Sequence, residues 1–255
     1  MQSPIKMLLL LTLCIGWAQP AWALGVEAAV NLWETKASGT FAYQPLLAGD
    51  RFDLEHDAGM GREINWGGRI KVDLPMLPDI LFQATPMEFS GTGSKGDTFN
   101  FGGHPFSADT SFNSRLSLDH YDLGLTFGIP LLETATLKTL NIDFGILVRR
   151  QEVKAELSQP GTGQYVRVNE TYYLPMGYLA VQVRVLKKMA LEAELRGIAY
   201  SDNHYYDLAG RVRYDLPGPV FVAGGWRYQE IELDEDDILA SVDFSGPFAE
   251  VGVRF

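Results

Sequence analysis

The chain has 255 residues, a formal net charge of -11, 46% hydrophobic residues and a single cysteine. This acidity argues against nucleic acid or anionic headgroups as general electrostatic partners, because like charges repel. One cysteine excludes an internal disulfide and a thiolate metal cluster.

The first 23 residues have the pattern of a secretory signal peptide. Lys6 precedes an apolar run over residues 7–17, and Ala21-Trp22-Ala23 offers a small-x-small cleavage site at its end. The run is too short for a membrane-spanning helix, which needs about 20 residues. A lipoprotein cysteine at Cys14 is the alternative, although Leu13 stands where a small residue is required. Cleavage leaves one predicted domain, residues 24–255, with no run long enough for a transmembrane helix.

Alternation of apolar and polar side chains dominates the rest of the chain and indicates β-strands. In Tyr206–Leu216, the even positions are apolar with an aromatic residue near each end, and most odd positions are charged. Leu140–Arg149 follows the same rule. In chain order, the pattern predicts ten strands: 24–34, 62–73, 79–90, 114–128, 137–151, 171–186, 189–200, 205–216, 219–231 and 238–255.

The predicted connectors are of two kinds. The tight ones, several with proline, are Leu74–Pro78, Ile129–Ala135, Leu186–Lys188 and Leu216–Pro219. The others are the long polar Glu34–Gly61, Gly91–Asn113 and Glu152–Glu170 and the short acidic Ser201–His204 and Glu232–Asp237. Short turns at one rim and longer loops at the other are typical of a bacterial outer-membrane barrel. Ten strands place both termini on the short-turn, periplasmic side, and eight strands are the alternative.

Aromatic residues gather near the ends of the predicted strands, as do Trp66, Tyr121, Phe127, Tyr173, Tyr200, Tyr206, Tyr214, Trp226 and Tyr228. A transmembrane barrel needs such girdles at both membrane interfaces, around an apolar band that faces lipid. A soluble two-sheet sandwich also alternates but gives no reason for them. We therefore predict an all-β fold, a single closed antiparallel transmembrane barrel, with a soluble periplasmic sandwich as the alternative.

The polar face of these strands then lines the lumen and carries similar numbers of both charges. Its basic residues are Arg69, Lys71, Arg149, Arg184, Arg196, Arg211, Arg213, Arg227 and Arg254. Its acidic residues are Glu27, Glu63, Asp73, Asp122, Asp143, Glu192, Glu194, Asp207, Asp215 and Glu250. The interior of so small a barrel is little wider than its own side chains, and unpaired charges are costly there. We expect an ion-paired plug, with a narrow polar pore or small-ligand cavity as the alternative.

An outer-membrane enzyme acting on lipid A or peptides is a second hypothesis. His120 and Asp122 share the predicted inward face two residues apart, as an acid/base pair requires. No serine joins them, since Ser117 falls on the other face. Asp202 and His204 have a spacing suited to a rim protease site, but a loop position is the simpler interpretation of His204.

No metal site or cofactor is predicted. The acidic stretch Glu230–Asp237 could hold divalent cations that bridge lipopolysaccharide phosphates, although a solvated loop is the simpler interpretation. The stretches "GTGSKGD" and "FGGHPF" do not link a strand to a helix, so they are not phosphate loops. No zinc-ligand spacing is present.

The chain ends on "GPFAEVGVRF", which alternates up to its last residue. The side chains expected to face lipid are Ala249, Val251, Val253 and Phe255, with Glu250 and Arg254 inward. Val251, Val253 and the terminal Phe255 resemble the signal by which the outer-membrane assembly machinery recognises its clients. This strand is expected to close the barrel against residues 25–32. Besides that machinery, the expected partners are outer-membrane lipids and lipopolysaccharide, for a monomeric protein that binds no nucleic acid.

Several stretches together resemble a family of Gram-negative outer-membrane β-barrel proteins named for a Gly-Gly pair. They are "FDLEHDAGM" (52–60), "KVDLPMLPDI" (71–80), "LDHYDLGL" (118–125), "YYDLAGRVRYDL" (205–216), "AGGWRY" (223–228) and "DFSGPFAEVGVRF" (243–255), with Gly224-Gly225 as the matching pair. The resemblance implies a barrel in the outer membrane and no catalytic or ligand-binding residue. Small OmpW-like and OmpA-like barrels are similar in general architecture. The expected function is therefore structural or narrow-channel transport.

Overall fold

The computed structural model describes residues 24–129, 132–137, 139–235 and 237–255. The predicted signal peptide and its alternative, a lipidated Cys14, fall in residues 1–23 and lie outside the described part of the chain. Within that part, no helix is long and apolar enough to cross a membrane.

The described chain consists almost entirely of β-strands. In chain order they are β1 (Gly25–Tyr43), β2 (Phe52–Asp53), β3 (Arg62–Asp73), β4 (Asp79–Thr85), β5 (Glu88–Gly93), β6 (Phe99–Phe101), β7 (His104–Phe106), β8 (Phe112–Gly128), β9 (Leu140–Gln159), β10 (Gln164–Leu186), β11 (Met189–Tyr200), β12 (Asn203–Asp215), β13 (Val220–Glu235) and β14 (Ile238–Arg254). A 3₁₀ turn, Ala48–Asp50, follows β1, and a short helix α1, Leu132–Ala135, precedes β9.

Ten of these strand positions close into one antiparallel barrel. β4 and β5 together form one position, because both pair with β8. β14 returns to pair with β1 over almost its whole length. The ladder reaches the last residue, where the Val26 amide donates to the Phe255 carbonyl at 3.2 Å and the Phe255 amide donates to the Val26 carbonyl at 2.9 Å. The predicted ten-stranded closure is confirmed, and the alternatives of eight strands and of a two-sheet sandwich are wrong.

The break between β4 and β5 has a local cause in Pro86, which has no amide proton to give to a ladder. The chain is held across the break by side chains from its neighbours. The Met87 amide donates to Asp119 at 3.1 Å, and the Glu88 amide donates to Asn65 at 3.1 Å. The strand predicted over residues 79–90 is therefore interrupted without opening the barrel.

The two rims of the barrel differ as predicted. The "turn rim" has the short connectors 74–78, 129–139, 187–188 and 216–219 and both ends of the described chain. The "loop rim" has the segments 44–61 and 94–111, the tight turns 160–163 and 201–202, and the connection between β13 and β14.

The strands reach much further toward the loop rim than the alternation predicted. Glu152–Glu170 was expected to be a polar loop, yet β9 and β10 pair through it and leave only residues 160–163 as a turn. β1 likewise continues to Tyr43, into the expected loop Glu34–Gly61. Gly91–Asn113 contains the β6–β7 hairpin. Those loop predictions were wrong because the alternation changes phase within the strands.

β8 shows this change of phase clearly. Near the turn rim its apolar side chains, Leu123, Leu125 and Phe127, are exposed on the outer face. Near the loop rim its apolar side chains, Leu116 and Leu118, are buried inside the barrel. The strand therefore has two halves: apolar outside and polar inside toward the turn rim, charged outside and apolar inside toward the loop rim.

The interior of the loop-rim half is an apolar core made largely of phenylalanine. The segments 44–61 and 94–111 fold inward over it, so that it includes Phe41, Phe52, Phe99, Phe101, Phe106, Phe112 and Phe244. Neighbouring rings lie 5.2 to 6.5 Å apart between Phe99, Phe106 and Phe101. The β6–β7 hairpin turns at Gly102 and Gly103, whose positive φ angles of 58° and 76° suit glycine in a tight hairpin turn. The barrel is thus closed at its loop rim by packed side chains.

Candidate functional site

The middle of the lumen holds a cluster of buried charges, here the "central cluster": Asp122, Arg149, Arg196, Asp207 and Arg227. Arg149 donates through Nε and Nη2 to both oxygens of Asp122, each at 2.7 Å, and through Nη2 to Asp207 at 2.7 Å. Arg227 donates to Asp207 through Nε at 2.9 Å and Nη2 at 2.7 Å. The Asp122, Arg149 and Asp207 side chains have no exposed surface. These fork-shaped pairs fix both partners in one geometry.

A second group of ion pairs lies between the central cluster and the turn rim. This "lower cluster" consists of Glu27, Arg69, Glu192, Glu194, Arg211, Arg213 and Glu250. Arg69 donates to Glu250 through Nε at 3.1 Å and Nη2 at 2.9 Å, and Arg69 Nη1 lies 2.7 Å from Glu27. Arg213 donates to Glu27 at 2.6 Å. Arg211 bonds both Glu192 and Glu194, and Glu194 also accepts from Arg196 of the central cluster. One continuous network therefore crosses the lumen.

The network opens at the turn rim into a polar cavity of about 70 Å³. Lys71 lies at its edge, 2.7 Å from Asp143, 3.2 Å from Asp79 and 3.6 Å from Asp73. Four more predicted lumen residues are at this mouth: Arg184 pairs with Asp215 at 3.4 Å, and Arg254 with Asp73 at 3.6 Å. Glu63 lies instead at the opposite end of β3, in register with Thr35. The cavity is large enough for several waters, and its inner wall is the lower cluster.

The predicted lumen residues are thus found together as ion pairs rather than along an open passage. Each of Arg69, Lys71, Arg149, Arg196 and Arg227 has at least one carboxylate within 3 Å. Removing either partner of such a pair leaves an uncompensated buried charge, so the network is stable only as a whole. The expected ion-paired lumen is confirmed.

Aromatic side chains join the central cluster to the apolar core above it. The Arg149 guanidinium lies 4.8 Å from the Tyr205 ring centroid, and that of Arg227 lies 4.8 Å from Trp33. Trp33 Nε1 donates a hydrogen bond to the Gly246 carbonyl at 3.1 Å. A side chain at position 246 would not fit, because its Cβ would lie 1.7 Å from the Glu34 carbonyl oxygen. Cations stacked on aromatic faces are stabilised where water is excluded.

The geometry does not support the proposed acid/base pair of His120 and Asp122. Both oxygens of Asp122 accept from Arg149, and His120 Nε2 lies 3.2 Å from Arg227 Nη2. Because a guanidinium can only donate, Nε2 accepts and the imidazole is neutral with its proton on Nδ1. The His120 side chain is fully buried, so no substrate reaches it.

The geometry does not support a protease site at Asp202 and His204 either. His204 Nε2 lies 3.4 Å from Glu230 on the neighbouring strand, and Asp202 lies in the tight turn between β11 and β12. No group of three or more metal-binding side chains occurs in the part of the chain that the structure describes, the described portion of the acidic stretch Glu230–Asp237 included.

The outer face carries most of the predicted aromatic girdle. Trp66, Tyr173, Tyr214 and Trp226 are exposed on it, and Tyr121 and Tyr228 occupy outward positions between exposed and buried. Tyr214 lies near the turn rim, and Tyr121 and Tyr173 lie beside Arg150, where the outer face changes from apolar to charged. Tyr200 is the last residue of β11, at the loop rim, where its side chain is exposed although it shares the alternation of inward Arg196; its place in a girdle stays a prediction.

The predicted assembly signal lies on the outer face of the closing strand. Val251 and Phe255 are exposed, Phe255 to 68%, and Val253 is half-buried, while Glu250 points into the lumen.

Gly225 of the Gly-Gly pair faces inward, where a built Cβ would lie 2.0 Å from the Gly210 carbonyl oxygen. That glycine is needed for close approach of β12 and β13.

Deleting Phe255 is expected to lower the amount of assembled barrel in the outer membrane several-fold, while the stability of the barrel that does assemble changes little. The ring is exposed and makes no core contact, and the deletion otherwise removes only the two terminal backbone hydrogen bonds with Val26, so recognition is affected more than packing. Quantitative immunoblotting of outer-membrane fractions and urea unfolding of purified protein separate the two effects. Leu216→Ala, a change at another apolar residue of the turn rim, is the control, and normal outer-membrane levels of the truncation would contradict the assignment.

Asp50 fixes the segment that covers the apolar core. Its Oδ2 accepts from the Leu46 amide at 2.7 Å and the Leu47 amide at 2.8 Å, and its Oδ1 accepts from the Asn100 amide at 2.8 Å. Burial alone would raise the pKa of this carboxyl, but the hydrogen bonds from Asn100, Leu47 and Leu46 outweigh it and lower the pKa below its ordinary value. Lys95 adds a second tie by donating to the Gly49 carbonyl at 2.5 Å.

Asp50→Asn is expected to increase the rate of proteolysis within residues 44–51 several-fold at neutral pH, because the neutral amide accepts more weakly. Since the folded pKa is lowered, the stabilisation is complete above the unfolded pKa of about 4 and is lost as the pH falls through the folded value. Acidification of the natural chain should therefore reproduce the variant. Asp97→Asn, on the exposed facing loop, is the control, and equal cleavage of the two variants would contradict this role.

Sequence reasoning missed the apolar half of the interior and the amide side chains beside the central cluster. Gln83 accepts from Arg196 at 2.8 Å, and Gln229 donates to Asp207 at 3.1 Å. Both glutamines lie on strands whose inward alternation was recognised only for charges. The reversal of phase in β8 was visible in the sequence and would have identified the apolar core.

Comparison with known proteins finds no protein-family model and no curated protein that matches this chain. Among solved structures, it is similar to Ail, the attachment invasion locus protein of Yersinia pestis, in complex with the heparin analogue sucrose octasulfate, with 10% identity, a TM-score of 0.39, and 90% of this chain and 99% of that one covered. It is also similar to the translocator domain of the autotransporter NalP from Neisseria meningitidis, with 9% identity and a TM-score of 0.42, and 98% of this chain and 95% of that one are covered. Neisserial surface protein A is similar with 11% identity and a TM-score of 0.32, and 91% of this chain and 97% of that one are covered. Likeness at this level does not assign the chain to a family.

Proposed function

We propose that this protein is an integral outer-membrane barrel with a structural role, whose lumen is closed to solutes. The observation that carries the proposal is the pair of seals inside one closed barrel: the ion-paired network in the turn-rim half and the phenylalanine core in the loop-rim half. A continuous polar path for a solute would have to pass both.

The outer face supports a membrane location. Outward side chains on every side of the turn-rim half are exposed and apolar, for example Val30, Ile64, Ile146, Val212 and Val251. Such a band costs free energy in water and is stable against lipid, where a closed barrel leaves no backbone group unpaired. The turn rim then faces the periplasm and the loop rim the exterior, as in outer-membrane barrels generally.

We also propose an export route, a family membership and the absence of catalysis for this chain. Export by a signal peptide cleaved after Ala23 supplies the route to the outer membrane. Membership of the Gly-Gly family is supported by the six similar stretches between residues 52 and 255 and by the close packing at Gly225. Absence of catalysis is supported by the burial of His120 and by the pairing of both Asp122 oxygens with Arg149.

Fractionation and solute flux test the two parts of this function separately. The protein is expected to fractionate with the outer membrane and to migrate faster on a gel before boiling than after it. Liposomes containing the folded protein should swell in arabinose no faster than empty liposomes. Recovery as a soluble periplasmic protein would overturn the membrane location, and swelling at the rate of a known porin would overturn the closed lumen.

A further inference from the structure

The outward face of β9 changes sharply from apolar to charged at Arg150. Phe144, Ile146 and Val148 precede it on that face and are all exposed. Arg150 is the next outward position, so its guanidinium lies where an apolar band in lipid meets the headgroup layer. An arginine at that height is positioned to meet lipid phosphates.

Two tyrosines flank this arginine on the neighbouring strands. Arg150 is in register with Tyr121 of β8 and with Tyr173 of β10, which forms an outward Tyr–Arg–Tyr row across three strands. The guanidinium carbon lies 6.0 Å from the Tyr121 ring centroid, and the Tyr173 side chain is 67% exposed. The row therefore offers two aromatic faces beside one cation.

Arg150 retains donors for a further anion. Its Nη1 lies 2.5 Å from Glu152, and its side chain is still 45% exposed. A guanidinium has five N–H donors in a planar fork that fits phosphate, and one carboxylate does not use them all. Lys154, two outward positions above, lies 3.4 Å from Glu152 and adds a second cation to the same sector.

The opposite side of the barrel has the reverse charge at this height. Glu230 and Asp243 are directly opposed on β13 and β14, and Tyr228 occupies the outward position below Glu230. Glu232 is the next outward position above. The β13–β14 side therefore repels phosphate, whereas in the sector around Arg150 the acids Glu152 and Asp119 are matched by Arg150 and Lys154.

We propose that the Tyr121–Arg150–Tyr173 row binds the phosphorylated sugar headgroup of an outer-leaflet glycolipid, the lipid A class. Arg150 bonds the phosphate, a sugar ring packs on a tyrosine face, and the acyl chains lie along Ile146 and Val148. The aromatic faces distinguish this ligand from a glycerophospholipid, which has phosphate but no sugar ring to stack. The inference rests on the proposed function, since it requires the apolar band to lie in the outer membrane.

Native mass spectrometry of the folded protein in detergent, titrated with bisphosphorylated lipid A, its dephosphorylated form and phosphatidylglycerol, tests the site. The natural chain should bind phosphorylated lipid A at least about tenfold more tightly than either of the others, as expected for one charge-assisted hydrogen-bonding site. Arg150→Gln should remove that preference. Arg167→Gln is the matched control, because Arg167 is exposed on the same sector, is also paired with a glutamate, and lies well above the row.

Three results would overturn the proposal: Arg150→Gln retaining the preference, Arg167→Gln losing as much of it, or phosphatidylglycerol binding as tightly as lipid A. The first two would show that no specific site exists at Arg150, and the third that the sugar ring is not recognised. Gel mobility before and after boiling is measured for every variant. A folded barrel without lipid preference overturns this inference alone, whereas failure to form a heat-modifiable barrel overturns the proposed function.

Discussion

Replacing Asp207 with asparagine is expected to lower the free energy of unfolding of the barrel by about 3–5 kcal/mol, because it leaves buried guanidinium groups without their shared counter-charge. Asp207 accepts from both Arg149 and Arg227, and Arg196 Nη1 lies 3.6 Å away. Asp122 would then be the remaining carboxylate of the central cluster. Equilibrium urea unfolding in lipid vesicles, followed by tryptophan fluorescence, measures the change.

Asp215→Asn is the matched control for this effect. Asp215 also pairs with two arginines, Arg213 at 2.9 Å and Arg184 at 3.4 Å, but it lies at the turn rim, where its side chain is 32% exposed. Water compensates the lost charge there, so the expected loss is below about 1 kcal/mol. A second variant, Asp207→Asn with Arg227→Gln, should recover part of the stability by removing one unpaired cation. Equal losses at Asp207 and Asp215 would show that the lumen is hydrated rather than sealed.

Phe99→Ala is expected to cost about 3–5 kcal/mol, the usual range for removing a fully buried aromatic ring. Phe99 packs against Phe106 at 5.2 Å, Phe112 at 5.5 Å and Phe52 at 5.9 Å between ring centroids. The segments that cover the barrel meet at this ring, so its loss leaves a cavity and also loosens them. Urea unfolding gives the free energy, and protease cleavage within residues 44–61 reports the loosened cover.

Phe144→Ala provides a comparison with the same residue type on the opposite face. Phe144 is exposed on the outer face and stacks on Phe127 at 6.1 Å. Lipid fills the space left by its ring, so only the pair interaction of about 0.5–1.5 kcal/mol is lost. If Phe99→Ala were no more harmful than Phe144→Ala, the loop-rim half would not contain a packed core.

The barrel could be predicted from sequence because closure depends on patterns that are local in the chain. Alternation at Tyr206–Leu216 and over residues 246–255 each indicates a strand, and aromatic residues near the strand ends indicate a sheet in a membrane, which has to close. The height of the barrel could not be predicted in the same way. Lys154 and Glu156 face outward on β9 and belong to a strand. Their composition predicts a polar loop instead, because the outer face above the membrane is charged and lacks the apolar alternation that identifies a strand.

The charges of the lumen were predictable as a set, but their pairing was not. Arg149 is close to Asp122 in the ladder, and register gives that pair from the strand positions. Arg69 bonds Glu250 from a strand that is not its direct neighbour, across the lumen, and no local pattern reports such a contact. The shared position of Asp207 among three guanidiniums follows from the width of a ten-stranded barrel and from side-chain length, which only the three-dimensional fold determines.

The two seals of the lumen are the ion-paired network in the turn-rim half and the phenylalanine core in the loop-rim half. Each has the polarity opposite to that of the outer face at the same height along the barrel axis. Charges are placed where the outer face is apolar and the barrel crosses the membrane, so the polar groups are satisfied by one another inside. Apolar rings are placed where the outer face is charged and wet, as in the core of a soluble protein. Lumen polarity and outer-face polarity thus change in opposite senses along a long strand such as β8, and closure does not depend on one constriction.

Planar-bilayer recording of the purified, folded protein tests the closed lumen most directly. A single protein in a membrane under an applied potential reports any continuous aqueous path through the barrel as a current. We expect no conductance above the baseline for the natural chain across the voltage range that the bilayer tolerates. Steady openings on the nanosiemens scale, reproduced with heat-modifiable protein, would contradict a barrel sealed by the central cluster and the phenylalanine core.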